Sequence, residues 1–488
     1  MPVGRTDEGA GSIGVFTPES SNFLTRLLLE DRTLNTRVIL VRHGESTYNV
    51  QRRVQGHCDE STLTEAGRIG ARQVGAALQG LKLNAIYSSP LRRAKATADL
   101  IRETLVGDGE LPPITTTEKL LEVNLALWEG MTFQAVEEQF PEAYRLWRDR
   151  PEALCMKFPT PEGAVEFFPI RSLYDQARQF WREVLPQHRG QTLLVVAHSG
   201  INRALMQTAM GLEPKDFSTF HISNCGISVL NLAGELGGPV QLESLNLTEH
   251  VGEPLPKLRP QHQGPRILLV RHGETDWNRD KRFQGQIDVP MNDTGRVQAA
   301  ACANFLKAVS IDWAVSSPML RPKETAEIIL KQHLGVDLAL DDNLREISHG
   351  LWEGKLEAEI EQSYPGMLLQ WKQAPATVQM PEGENLQQVW ERAIAAWTTL
   401  LEAARLRAEQ SGQPETILVV AHDAVNKALL CYLAGLGPEQ FWTFKQGNGS
   451  VSVIDYPQGP TGRPILHAVN ITSFLGAGVL DKTAAGAL

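Results

Sequence analysis

The sequence predicts an α/β protein built as two tandem three-layer domains, each a mostly parallel sheet with helices on both faces. Three observations carry this. The stretch "VILVRHGESTYN" (Val38 to Asn49) returns as "ILLVRHGETDWN" (Ile267 to Asn278). Polar landmarks keep one register between the halves: His43 and His272 are 229 apart (272 − 43), Arg93 and Arg321 are 228 apart (321 − 93), and Glu122 and Glu346, His198 and His422, and Asn224 and Asn448 are all 224 apart. In both halves apolar β-branched runs alternate with helical patterns, which is the signature of a parallel sheet covered on both sides.

Each half opens on a strand (Arg37–Val41; Ile267–Val270) that ends in Arg-His-Gly. A helix near "GRIGARQVGAAL" or "GRVQAAACANFL" follows, then a strand into "SSP" (Tyr87–Pro90; Val315–Pro318) and a helix from Arg93 or Arg321. Next come "TLLVVAH" and "TILVVAH", each leading into another helix, and then equivalent terminal strands in "SNCGISVLNL" and "GNGSVSVIDY". A period of about 220 residues is too long for a solenoid and right for whole domains. The resulting division is a flexible tail with a short helix at 1–36, a first domain at 37–249, a Pro/Gly-rich linker at 250–265, a second domain at 266–475 and a C-terminal tail at 476–488.

Composition narrows the function. With 42% hydrophobic and 21% charged residues the chain reads as globular, and no apolar run reaches the length of a membrane span. A formal net charge of −10 argues against a general nucleic-acid binder, so an anionic substrate requires a local cationic pocket. Five scattered cysteines without CxxC spacing favour reduced thiols and a cytoplasmic setting. Neither HExxH nor a P-loop occurs, which speaks against zinc hydrolysis and ATP-driven transfer; no metal and no cofactor are expected.

Two arginines and two histidines brought to one rim of such a sheet can neutralise a dianion, because guanidinium forks match phosphate oxygens and keep their charge. A neutral histidine nitrogen can attack phosphorus and hold the phosphoryl group, while a carboxylic acid protonates the leaving oxygen and then activates water. Arg-His-Gly alone is usually an ordinary strand-end turn, "WEG" is usually core packing, and Ala-His is usually a capped histidine. Those readings fail together because five polar positions recur in the same order in both halves. His57, in "QGHCDE", is a further candidate against a plain loop residue, and the neighbouring Cys58 reads as a bystander thiol.

With these residues in place the chain resembles the histidine phosphatase superfamily, the phosphoglycerate-mutase-like proteins. The opening motif of that family is matched by Arg42, His43, Gly44, Ser46 and Asn49, and by Arg271, His272, Gly273, Thr275 and Asn278. Its Gln-Gly loop falls on Gln55-Gly56 and Gln284-Gly285, its second arginine on Arg93 and Arg321, its acid on Glu122 and Glu346, and its second histidine on His198 and His422. The resemblance implies that His43 and His272 become phosphohistidines, and that the arginines and second histidines hold the phosphate. The halves depart differently: "PEGEN" in the second is "PEGAV" in the first, so Ala164 stands against Glu384, Ala126 stands against Gly350, and "AHDAVNK" replaces the usual His-Gly pair.

The tandem layout further resembles the plant and cyanobacterial 2-carboxy-D-arabinitol-1-phosphatase group, which implies sugar phosphates that inhibit Rubisco as substrates. The expected activity is metal-independent hydrolysis of a small phosphorylated metabolite, with no nucleic-acid or membrane partner and the oligomeric state left open. A phosphoglycerate mutase is the first alternative; 76 residues separate acid and second histidine in both halves (198 − 122; 422 − 346), shorter than the enclosing segment a mutase carries. A half that only binds phosphate ligands is the second.

Overall fold

The computed structural model describes residues 35–105, 111–161, 163–258, 262–476 and 478–484. The expected N-terminal tail and short helix fall on 1–36 and so lie, but for its last two residues, outside the described residues. In the first half the strands are β1 (Thr36–Arg42), β2 (Ala85–Ser88), β3 (Ile114–Thr116), β4 (Met156–Thr160), β5 (Gly163–Phe167), β6 (Thr192–Ala197), β7 (Ile227–Leu232) and β8 (Val240–Leu247). In the second they are β9 (Arg266–Arg271), β10 (Trp313–Ser316), β11 (Leu338–Leu340), β12 (Thr416–Ala421), β13 (Val451–Asp455) and β14 (Ile465–Ile471). The helices that matter for the site are α1 (Glu65–Ala77), α2 (Arg92–Thr104), α3 (Pro169–Val184), α4 (Ser199–Ala209), α5 (Asp293–Leu306), α6 (Leu320–Leu330), α7 (Leu386–Ser411) and α8 (Asp423–Ala434).

The β-branched runs become central strands because both of their faces are covered. Along β1, Val38 and Leu40 enter one core while Ile39 and Val41 enter the other; along β9, Ile267 and Leu269 part from Leu268 and Val270 in the same way. Period-2 alternation thus separates the two helical layers rather than core from solvent. All eight of these side chains are essentially inaccessible, each contributing about 1.5–3 kcal/mol of burial. In each half four strands run parallel, β3-β2-β6-β1 and β11-β10-β12-β9, followed by an antiparallel pair, β7-β8 or β13-β14.

The halves then join. β8 pairs antiparallel with β14 at Leu245 and Val469, giving one 12-stranded sheet. Flanking bonds extend the seam: His221 N donates to Leu466 O (3.0 Å) and Lys445 N to Leu242 O (3.0 Å). Both cores contain residues of both halves. Pairing β8 with β14 removes an exposed strand edge from each half, the feature that otherwise invites aggregation. Part of the segment after 475 packs here as well: Val479 is buried, and Asp481 N donates to Glu243 Oε1 (3.0 Å).

The glycine of each Arg-His-Gly is explained by how closely the next helix approaches. A Cβ on Gly44 meets Gly67 O of α1 at 2.3 Å, and one on Gly273 meets Gly295 O of α5 at 2.3 Å. Both obstacles are helix backbone and cannot rotate away. Gly44→Ala and Gly273→Ala are therefore expected to cost about 1–3 kcal/mol each, measurable as a lowered urea midpoint at unchanged slope.

Candidate active site

The predicted residues lie at the carboxyl ends of the parallel strands or in the loops and first helical turns next to them, where α/β sheets bind ligands. His43 and His272 follow β1 and β9; His198 and His422 follow β6 and β12 and cap α4 and α8; Arg93 and Arg321 lie in the first turns of α2 and α6. The ring centroids of His43 and His198 are 5.1 Å apart, and those of His272 and His422 are 5.2 Å apart, each pair edge to face.

The tautomer of the first histidine is set locally. His43 Nδ1 lies 2.8 Å from Gly44 O and His272 Nδ1 lies 2.7 Å from Gly273 O. A carbonyl only accepts, so Nδ1 carries the proton and Nε2 keeps its lone pair. In the second site Arg321 Nε donates to His272 Nε2 at 3.2 Å, which requires that lone pair. Burial, then the neighbouring arginines, hold both histidines well below the usual imidazole range, so they are neutral. His198 and His422 are lowered by burial and by Arg93 or Arg321. Their Nε2 atoms meet Ser89 Oγ (2.8 Å) and Ser317 Oγ (2.9 Å), leaving Nδ1 without a protein partner.

Arg93, Arg271 and Arg321 are buried and Arg42 is partly buried, and among the described residues none has a carboxylate in direct contact apart from a 3.8 Å approach of Arg271 to Asp423. Carbonyl oxygens hold them. Arg93 donates to Gly56 O (2.9 Å) and Cys58 O (2.9 Å), and Arg321 to Gly285 O (2.8 Å) and Ile287 O (3.4 Å), so the Gln-Gly loop is an arginine cradle. Arg42 Nη1 donates to Ile222 O (2.8 Å) and Arg271 Nη1 to Gln446 O (2.6 Å). The Nε atoms of Arg42, Arg93 and Arg271 are buried donors without an acceptor among the described residues. Burial lowers Arg42 and Arg321 to about 10, which leaves them charged at neutral pH.

The remaining landmarks form a brace. Ser46 Oγ lies 2.9 Å from Asn49 Oδ1 and 3.1 Å from Gln55 Oε1 and shares its one proton between them; Thr275 Oγ1 does the same with Asn278 (3.1 Å) and Gln284 (2.9 Å). Asn224 Nδ2 donates to His43 O (2.9 Å) and Asn49 Oδ1 (3.3 Å), and Asn448 Nδ2 to His272 O (3.2 Å) and Asn278 Oδ1 (3.2 Å). Ser46, Asn49, Thr275, Asn278 and the glutamines thus fix the histidine turn and the cradle by bonding one another.

Glu122 accepts from Gly200 N (3.1 Å) and Ile201 N (3.2 Å), and Glu346 from Asp423 N (3.1 Å) and Ala424 N (3.2 Å). Each carboxyl thus sits at a helix N-terminus, where backbone N–H groups and the dipole favour the anion. Glu346 is nevertheless raised, by burial first and by Asp423 second, with Arg321 opposing.

The sites differ where the sequences differ. His57 Nε2 bonds Glu122 O (2.7 Å), and Gln286 Nε2 bonds Glu346 O (3.1 Å), so His57 belongs to the rim of the first site. Cys58 contributes its carbonyl, not its thiol. In the second site Glu384 accepts from Ser348 N (2.8 Å) and pairs with Arg392 through both oxygens (2.8 and 2.9 Å). Ala164, its counterpart, lies on the exposed strand β5, and Gln176 stands where Arg392 does (392 − 176 = 216, the offset of Trp181 and Trp397). Beside His422, Asp423 holds Lys427 (3.0 Å); Ser199 and Arg203 occupy those places in the first half. Ser89 and Ser317 were outside the residues expected here; the repeated "SSP" was their only sequence signal.

The family model described as histidine phosphatase superfamily (branch 1) matches residues 38–245 and again 267–471. A 2-carboxy-D-arabinitol-1-phosphatase of Triticum aestivum is 30% identical over 90% of this chain and 86% of its own. Phosphoserine phosphatase 1 of Hydrogenobacter thermophilus is 32% identical over 43% of this chain and 94% of its own. Among solved structures, a mycobacterial glucosyl-3-phosphoglycerate phosphatase with inorganic phosphate aligns at 28% identity, covering 43% of this chain and 99% of its own, with a TM-score of 0.39. The double match accounts for the repeated motif: the chain belongs to the histidine phosphatase superfamily, branch 1, and is a phosphatase that carries the family's sequence pattern twice.

Proposed function

We propose that each half hydrolyses small phosphomonoesters, sugar or sugar-acid phosphates foremost, through a phosphohistidine at His43 or His272. The observation that carries this is the neutral histidine whose Nδ1–H is fixed to its own next carbonyl, surrounded by buried arginine N–H groups that lack a protein acceptor. Nε2 forms a bond to phosphorus as the bond to the leaving oxygen breaks, and the protonated carboxyl of Glu122 or Glu346 gives its proton to that oxygen. The resulting carboxylate then takes a proton from water, whose oxygen bonds to phosphorus as the N–P bond breaks. Phosphate and neutral histidine are the products. The arginines and second histidines stabilise the charge on the transferring group, the part metals play elsewhere.

The tandem relative named for 2-carboxy-D-arabinitol 1-phosphate supports a sugar-acid phosphate as one substrate. The two rims favour different alcohol groups. His57 flanks the first site, whose counterpart to Glu384 is an exposed alanine on β5, whereas Glu384, Asp423 and their cations crowd the second. A phosphate-release screen over a metabolite panel, run on the parent, His43→Ala and His272→Ala forms, tests both points. Activity retained in full by the double His→Ala form overturns the mechanism.

Hydrolysis is expected to survive EDTA and to be inhibited by vanadate, which takes the five-coordinate geometry of the transferring phosphorus. Loss in EDTA restored by magnesium contradicts this. Glu122→Gln and Glu346→Gln are each expected to slow their own site about 100-fold on alkyl phosphates, and far less on nitrophenyl phosphate, whose leaving group needs little protonation. Equal losses on both substrates would mark the carboxyls as structural.

Asp423 supplies a pH test. Importing the first-half pair, Asp423→Ser with Lys427→Arg, removes a negative neighbour of Glu346 without leaving a lysine unpaired, so the pKa of Glu346 falls. A general acid works while protonated, so the alkaline limb of kcat for the second site moves to lower pH. An unmoved limb, measured in the His43→Ala form, assigns that limb to another group.

A further inference from the structure

One residue type is repeated at the seam between the halves. Asn246 in β8 and Asn470 in β14 are 224 apart (470 − 246), the offset of the active-site landmarks. Both are buried and both take left-handed backbone, with φ of 53° and 57°. The cause is a bulge in each hairpin: the register shifts between Ile227 and Val229 opposite β8, and between Val451 and Val453 opposite β14. The bulged N–H groups are received by side chains, Asn246 N by Ser228 Oγ (2.9 Å) and Asn470 N by Ser452 Oγ (3.1 Å). Left-handed backbone costs an ordinary residue about 1–2 kcal/mol, and asparagine tolerates it best after glycine.

Conformation alone does not account for the choice, because both ends of each amide are used. Asn246 Oδ1 accepts from Ser223 N (2.8 Å), and Asn470 Oδ1 from Gly447 N (2.7 Å). The other end crosses the seam: Asn246 Nδ2 donates to His467 O (2.8 Å), and Asn470 Nδ2 to Glu243 O (2.8 Å). Ser223 and Gly447 immediately precede Asn224 and Asn448, whose side chains hold the His43 and His272 carbonyls. One residue before them, the Ile222 and Gln446 carbonyls receive Arg42 and Arg271. Hydrogen bonds joined by the Ser223–Asn224 or Gly447–Asn448 peptide link thus run from the backbone of one half to the histidine turn of the other.

We propose that Asn246 and Asn470 are positioning residues for phosphoryl transfer, each aligning the nucleophilic histidine of its own half while anchored on the backbone of the opposite half. The inference rests on the phosphohistidine reading. Its chemical logic is that a transferring nitrogen displaced by even about 1 Å loses rate steeply, and among the described residues the only side chain on the His43 or His272 carbonyl comes from the loop that these asparagines hold.

Two full-length reporters test it: His272→Ala, in which only the first site turns over, and His43→Ala, in which only the second does. Glycine at position 246 keeps the left-handed backbone and removes both amide bonds. Aspartate keeps the acceptor for Ser223 N and removes the donor across the seam. In the first-site reporter, Asn246→Gly and Asn246→Asp are each expected to lower kcat about tenfold, with the inhibition constant of inorganic phosphate within threefold of the parent. In the second-site reporter the same substitutions are expected to leave kcat within twofold, which also controls for folding. Asn470→Gly and Asn470→Asp should give the mirror result, the aspartate more severely because Asp481 Oδ2 lies 3.3 Å from the Asn470 amide nitrogen. Parental kcat in the glycine forms would reduce both asparagines to backbone conformers, and parental kcat in the aspartate forms would confine the brace to one half; either overturns the proposal. Equal losses in both reporters overturn it too, as general destabilisation. Unsubstituted reporters without turnover would instead sink the reading that each half hydrolyses on its own, and turnover retained by the double His→Ala form would sink the phosphohistidine reading.

Discussion

A guanidinium group taken out of water must be satisfied by something, and the choice of partner decides whether its charge remains usable. Arg93 and Arg321 are fully buried, yet the oxygens they bond belong to peptide carbonyls of the Gln-Gly loops. A carboxylate partner would neutralise the site; carbonyl dipoles relieve much of the desolvation cost and leave the net charge in place. Burial first, and this field second, keep the histidines neutral. Glu122 and Glu346 lie near the same cations but bond backbone N–H groups at helix N-termini.

Much of this was legible in the sequence because the fold delivers its polar groups directly from strand ends. Arg42-His43 and Arg271-His272 are contiguous with β1 and β9, and His198 and His422 with β6 and β12, so apolar run and reactive group are read together. The bonds that close the site were not legible. Ser89 reaches His198 across 109 residues of chain, and His57 reaches the Glu122 backbone across 65. Nothing in a local period announces either. The seam was equally hidden: the terminal strands expected in "SNCGISVLNL" and "GNGSVSVIDY" are β7 and β13, whereas β8 and β14, which follow them and pair with each other, carried no expectation. The bulged asparagines carried a faint signal, a polar residue in an apolar run at the repeat offset, which their left-handed backbone explains.

The halves have diverged around a common centre. In the second site Arg392 ties Glu384 to the backbone at Asn343, Arg345 and Glu346, and Glu346 is 4% exposed. In the first, Gln176 meets the corresponding carbonyls of Lys119 and Leu121 with a neutral amide, and the segment opposite extends as the β4–β5 hairpin. Changes of this kind leave the phosphate cradle intact and alter what approaches it, which is where a phosphatase separates one ester from another.

The edge-to-edge seam has an evolutionary consequence. Two identical subunits meeting through β8 would be bound by two-fold symmetry, so every improvement on one side would be copied to the other. Joined in one chain, the two sides answer to separate codons. The matched bonds of Asn246 and Asn470 keep a two-fold pattern, whereas Glu243 faces Asp481 N and Lys445 at a position whose repeat counterpart is His467, stacked on His221. A single chain thus frees the interface from self-complementarity, so that one catalytic half can change while the other stays as it is.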